Sequence, residues 1–260
     1  MTKTHATAMD PLRPASSSES GFSLMEAMVS TSLTLVVLGS ALGALSEGLM
    51  MQENAALGSE MHANVRSAMN EMMRDLLDTA QGIPTGGVPI PNGDGTTPVR
   101  RPGPGWLTFS TGSQVIPALT PGNALGATML GQATDLVTIL RADSTLDLNR
   151  TTLTAIASDG STMTVDAGTD ITLPGNGLTA GDLIMFSNAR GHAMQLITEV
   201  SGGQTVTFGA SDSMHLNQRG AGAGTIMQLR DGPSSFPPTT ATRIWLITYY
   251  IDDSVSGSPR

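Results

Sequence analysis

Between Phe22 and Ser46 the only charged residue is Glu26. A charge left unpaired inside a bilayer-crossing helix costs about 2.5–3.5 kcal/mol on insertion scales. An anchor with no other task has no reason to keep one. Gly21 and Phe22 stand just before it, followed by Ser23, Leu24 and Met25. No second group of residues suggests reaction chemistry. His5, His62, His192 and His215 lack metal-ligand spacing, and no Gly-x-Ser-x-Gly elbow or phosphate loop is written in the chain. The absence of cysteine excludes a thiol nucleophile. The Asn92-Gly93-Asp94-Gly95 tetrad lacks the later oxygen ligands and closing Glu of a calcium loop and reads as a turn. The expectation is no enzyme, no metal and no cofactor.

The element that must position Glu26 is a helix. From Phe22 the next proline is Pro84, and the stretch 22–81 reads as helical throughout. Residues 24–46 are long and apolar enough to cross a bilayer. After them the pattern becomes one apolar stripe: Leu49, Leu57, Met61, Val65, Ala68, Met69, Met72, Met73, Leu76 and Leu77. Steps of three and four make an amphipathic second half, against which a globular domain is expected to pack. Arg74 and Asp78, four apart, are expected to pair. Gly39 and Gly43 form a Gly-xxx-Gly pair that reads either as a close helix-packing face or as coincidence in a Gly-rich chain. Residues 1–21 are polar, with Pro11, Pro14 and a Ser-rich run, and read as a leader. Met9 is an alternative start within it.

The Gly21–Phe22 junction, with Glu26 as fifth residue of the segment beginning at Phe22, resembles the type IV prepilin cleavage and methylation signal. Gly21, Phe22, Ser23, Leu24 and Glu26 follow that pattern, and Met25 replaces the commoner branched aliphatic residue. The resemblance implies a prepilin peptidase that cuts between Gly21 and Phe22, methylation of the new Phe22 amine, and assembly into a filament. Gly21 suits the cut because it offers an extended backbone without a Cβ. The resemblance also implies that Glu26 meets the Phe22 amine of its own or a neighbouring subunit. A secretory signal peptide places its cleavage site after the apolar core, the reverse of the order here.

The rest of the chain fits an exported β domain. Charged residues make up 13%, the net charge is −9 and no basic cluster exists, so no nucleic-acid partner is expected. Residues 82–105 read as a connecting loop and 106–260 as a β-rich globular domain. Strands are expected at 106–110, 135–140, 152–157, 162–166, 182–187, 194–200, 205–208, 225–229 and 243–251. The fold class is α+β: a long N-terminal helix on an antiparallel sheet. The runs Ala180 to Asn188, Gln195 to Val200 and Tyr249 to Asp252 resemble PilW-type minor pilins.

That resemblance implies a structural subunit of a pilus or its priming tip, with other pilins as partners through the helix. It places the chain in the bacterial inner membrane, domain in the periplasm, and later on the cell surface. A type II secretion pseudopilin shares the N-terminal signal, and a membrane-tethered binding domain or enzyme is the alternative from another class. The last apolar strand, apolar on both faces, reads as central. Only nine residues follow it, so the chain is expected either to be shortened after Arg260 or to leave that strand with an open edge.

Overall fold

The computed structural model describes residues 21–92, 95–105, 107–146, 148, 153–166, 168, 171–172, 177–220 and 222–252. Residues 1–20 of the expected leader, Gly93 and Asp94 of the turn, and the chain beyond Asp252 lie outside them, as do the expectations made for those residues. The chain divides into two compact units, one ending at Ser67 and the other starting at Ala68. One helix, α1 (Leu24–Leu77), begins in the first unit and ends in the second. It includes an 18-residue window of mean hydropathy 1.8 and is long and apolar enough to cross a membrane.

The expected stripe is not buried. In the first unit Leu49, Leu57, Met61 and Val65 are exposed. In the second, Met69, Met73 and Leu77 are exposed, while Met72, Asp75 and Leu76 are half-buried. The last turn therefore presents a narrower face than the sequence stripe, and that face is chosen by Asp75. α1 ends at Leu77, short of the expected residue 81, because Ala80 and Gly82 take left-handed backbone (both φ 71°). The Ala80 N–H donates to Leu140 O, and Gln81 O accepts from the Ala142 N–H, so the chain passes directly from helix to sheet edge.

The second unit holds β1 (Val88–Pro89), β2 (Arg100–Arg101), β3 (Leu107–Thr108), β4 (Val115–Ile116) and β5 (Leu119–Gly122). Then come β6 (Thr128–Met129), β7 (Gln132–Ala133), β8 (Leu136–Ala142), β9 (Ala155–Ile156) and β10 (Thr162–Thr164). The last five are β11 (Leu183–Asn188), β12 (Gly191–Leu196), β13 (Glu199–Ser201), β14 (Thr205–Thr207) and β15 (Thr240–Tyr249). The main sheet has the order β12-β11-β15-β8-β5, and a second sheet the order β13-β14-β10-β9. Every pairing is antiparallel.

Side chains alternate along β11, and each face has its own core. Ile184 and Phe186 join Met163, Val206, Phe208, Ile226 and Leu229 on the face toward the second sheet. There the Phe186 and Phe208 rings meet edge-on at 5.5 Å. Leu183 and Met185 join Val88, Ile90, Val99, Ile116 and Ile244 on the other face. Residues 82–105 are thus more than the expected connection. Val88, Ile90 and Val99 are fully buried in the second core, and β1 and β2 lie within the segment. Gly87 (φ 94°) and Gly224 (φ 81°) are fixed by close approach, since a Cβ would collide with the backbone of Ile116 and of Ile90 respectively.

Two strand expectations need correction. Residues 194–200 are two strands: β12 in the main sheet and β13 in the second, with the crossing at Ile197 and Thr198. The Ile197 N–H donates to Asp182 O and the Thr198 N–H to Thr207 O, so the ladder changes partner between them. The stretch Thr225–Leu229 is a 3-10 helix over Ile226–Leu229. Its three-residue spacing puts both Ile226 and Leu229 into the core, and the Thr225 hydroxyl bonds Gly220 O at 2.7 Å.

Candidate functional site

Ser23 starts the helix. Its Oγ accepts from the Met25 N–H at 3.3 Å and its carbonyl from the Ala27 N–H at 3.0 Å. That makes Ser23 the cap and Glu26 the third helical residue, the Ser-x-x-Glu spacing of a capping box. Sequence reasoning used Ser23 only as part of a motif, although this spacing alone would have marked it. The position gives Glu26 one stabilising neighbour, the positive end of the helix, worth about 0.3–1 kcal/mol. That is smaller than the cost of a bare charge inside a bilayer, about 2.5–3.5 kcal/mol.

Gly21, Phe22 and Glu26 are all exposed at this end, with the Phe22 side chain three-quarters exposed at 75%. Phe22 and Glu26 are four residues apart, the distance of one helical turn. Within the apolar run four hydroxyls are satisfied by the helix itself. Thr31 donates to Ala27 O (2.9 Å), Ser32 to Met28 O (2.8 Å), Thr34 to Ser30 O (2.7 Å) and Ser40 to Val37 O (2.9 Å). Such bonds remove the penalty of presenting a bare hydroxyl to lipid. Gly39 and Gly43 are exposed, with nothing within 4 Å of where a Cβ would stand. They form an open small-residue face, far along the helix from Glu26.

A second polar group sits where α1 meets the sheet. The Tyr249 hydroxyl donates to Asp75 Oδ2 at 2.6 Å, and Arg141 approaches Asp75 Oδ1 at 3.7 Å. Burial, the hydrogen bond to Asp75, and the negative charges of Asp75 and Glu71 push Tyr249 up to about 12, against the opposing pull of Arg141. The expected Arg74–Asp78 pair does not form among the described residues. The carboxylate used is the one beside it, because Asp75 points to the sheet and Asp78 does not.

The third group is buried. The Arg243 Nε donates to Asp143 Oδ2 at 2.7 Å, its Nη1 donates to Gly177 O at 2.7 Å, and Asp182 lies 3.6 Å away. The guanidinium also stacks over Trp245 at 4.9 Å. Burial alone would raise Asp143, but hydrogen bonds from Thr145 and Arg243, with the Arg243 charge, hold it below the usual carboxylate range. Every fork of Arg243 is used internally, which makes this a structural network.

Compared with protein-family models, characterised proteins and solved structures, the chain matches none.

The other polar residues do not converge on a reaction centre. Ser187 Oγ and His192 Nδ1 lie 2.8 Å apart across β11 and β12. Among the described residues no carboxylate orients the other ring nitrogen, as a serine nucleophile with its base would need. His215 bonds Pro98 O at 3.1 Å, and His62 is exposed on α1. Asn92 donates to Ser110 O and Ser113 O at 2.6 and 3.0 Å. Among the described residues no group of three or more His, Asp or Glu could hold a metal.

Proposed function

We propose that this protein is a minor type IV pilin of the PilW kind, held in the bacterial inner membrane by α1 before it enters a pilus or its priming tip. The observation that carries the reading is the Gly21–Phe22 junction placed directly before a capped helix whose first turn holds Glu26, with no other charge before Glu47. A prepilin peptidase cutting there frees an amine on Phe22, one helical turn from the carboxylate. In lipid or a filament core, amine and carboxylate offset each other's desolvation, and the pair also sets the axial register of one helix on the next. The internally bonded hydroxyls and the open Gly39–Gly43 face support packing of this helix against others of its kind. The partners are the peptidase and other major and minor pilins. The β-rich unit is then the part presented outside the membrane.

Glu26→Ala tests the pairing. Membrane insertion is expected to stay at wild-type level, because a charge has been removed from the apolar run. Recovery in sheared filaments or tip complexes is expected to fall by a factor of ten or more. Recovery at wild-type level would refute the pairing in this subunit.

A further inference from the structure

The hydroxyls along α1 are used in two ways. Thr31, Ser32, Thr34 and Ser40 donate to carbonyls three or four residues back, which the helix ladder already holds in place. Ser23 does the reverse: its Oγ accepts from the Met25 N–H at 3.3 Å. The first N–H groups of a helix have no carbonyl to meet, and in an apolar surrounding each one left bare is costly. Ser23 therefore supplies an oxygen that the backbone lacks at this end.

In a complete capping box the acidic residue three positions on also bends back, to the N–H of the cap residue. Glu26 does not do so. Its side chain makes no hydrogen bond or ion pair among the described residues, and Gly21, Phe22 and Glu26 are all exposed. The box is half closed: the serine is spent on the helix and the carboxylate is not. Without the Ser23 hydroxyl, two outcomes are open to the Met25 N–H. It recruits the Glu26 carboxylate, one residue on and unspent, or the first turn unwinds. Both take the carboxylate away from a group one turn before it.

We propose that Ser23 is a positioning residue for the contact between Glu26 and the Phe22 amine: its hydroxyl caps α1 in place of Glu26 and so keeps that carboxylate free for the amine. The inference rests on the pilin reading, which supplies the amine by cleavage between Gly21 and Phe22. It adds a requirement to that reading. A carboxylate at Glu26 is not sufficient by itself, because a cap oxygen at Ser23 has to leave it uncommitted. A carboxylate beside an ammonium makes the amine hold its proton to higher pH, so the amine itself reports whether Glu26 is free.

The test uses the full chain processed by a co-expressed prepilin peptidase, with the Phe22 amine titrated by NMR in detergent. Glu26→Gln marks the midpoint of an amine without its carboxylate. Ser23→Ala is expected to move the wild-type midpoint at least half of the way to that mark. Ser23→Thr, which keeps the cap oxygen, is expected to stay with wild type. Recovery of Ser23→Ala in sheared filaments or tip complexes is expected to fall roughly fivefold, the size of a typical lost cap. A Ser23→Ala midpoint equal to wild type would overturn the proposal, as would a Ser23→Thr midpoint that moves with it. So would a wild-type midpoint equal to that of Glu26→Gln. A Ser23→Ala chain that the peptidase does not cut would assign Ser23 to cleavage instead, and would overturn it too. The two readings fail separately. A wild-type chain not cut at Phe22 removes the pilin reading, whereas a cut chain whose amine ignores Ser23→Ala removes this inference alone.

Discussion

Tyr249 fastens the end of α1 to the sheet through one proton. Its pKa, raised to about 12 in the folded chain, compares with about 10 for an unfolded tyrosine. A raised pKa gives stability that is complete below the unfolded value and is lost as pH climbs through the folded one. The contribution of this bond is therefore full up to about pH 10 and disappears between there and about pH 12. Tyr249→Phe is expected to lose about 1 kcal/mol at pH 8, with the gap from wild type closing across that alkaline window. Denaturant unfolding of the full chain in detergent, repeated at several pH values, measures both. Equal stability at pH 8 would show that the contact carries no energy. None of this was legible in the sequence, where Asp75 is one of several charges at the helix end. The choice between Asp75 and Asp78 depends on which way the helix faces the sheet, and spacing does not encode that. Glu26 is the opposite case: an isolated charge in an apolar run announces itself.

Among the elements, the hairpin of β6 and β7 has an unfavoured tip. Leu130 and Gly131 connect Met129 and Gln132 with positive φ at both positions (50° and 79°). Left-handed backbone costs a branched L-residue about 1–2 kcal/mol, and the Leu130 side chain recovers nothing because it is fully exposed. Asparagine is favoured at such a position. Leu130→Asn is expected to raise stability by roughly 0.5–1 kcal/mol, seen as a higher melting temperature. A lower one would mean that the leucine makes contacts elsewhere. Sequence reading placed β3, β8 to β11, β14 and β15 at expected strands, and β12 and β13 together in one, because β-branched and apolar residues recur there. It missed β1, β2 and β4 to β7, which are two to four residues long and stand among the turns of 82–133 without a run of alternating residues. Such strands are imposed by the core beneath them. The apolar spacing of Thr225 to Leu229 fits a strand and a 3-10 turn alike, and only the surroundings decide.

At the scale of the whole molecule, one end of the chain carries the membrane-length helix and the other a two-faced sheet. That division of labour was readable from where apolarity and proline fall. The placing of β15 at the centre was readable too, from apolar residues on both its faces. That it is paired by halves, with β11 along Thr240 to Ile244 and with β8 along Ile244 to Tyr249, was not, because register belongs to the partner strands. The central claim concerns the N-terminus, and mass spectrometry of the assembled protein addresses it directly. Co-expressed with a prepilin peptidase, the protein recovered from filaments or tip complexes is predicted to begin at Phe22 with a methylated amine. A mature, assembled protein that still carries residues before Phe22 would contradict the account.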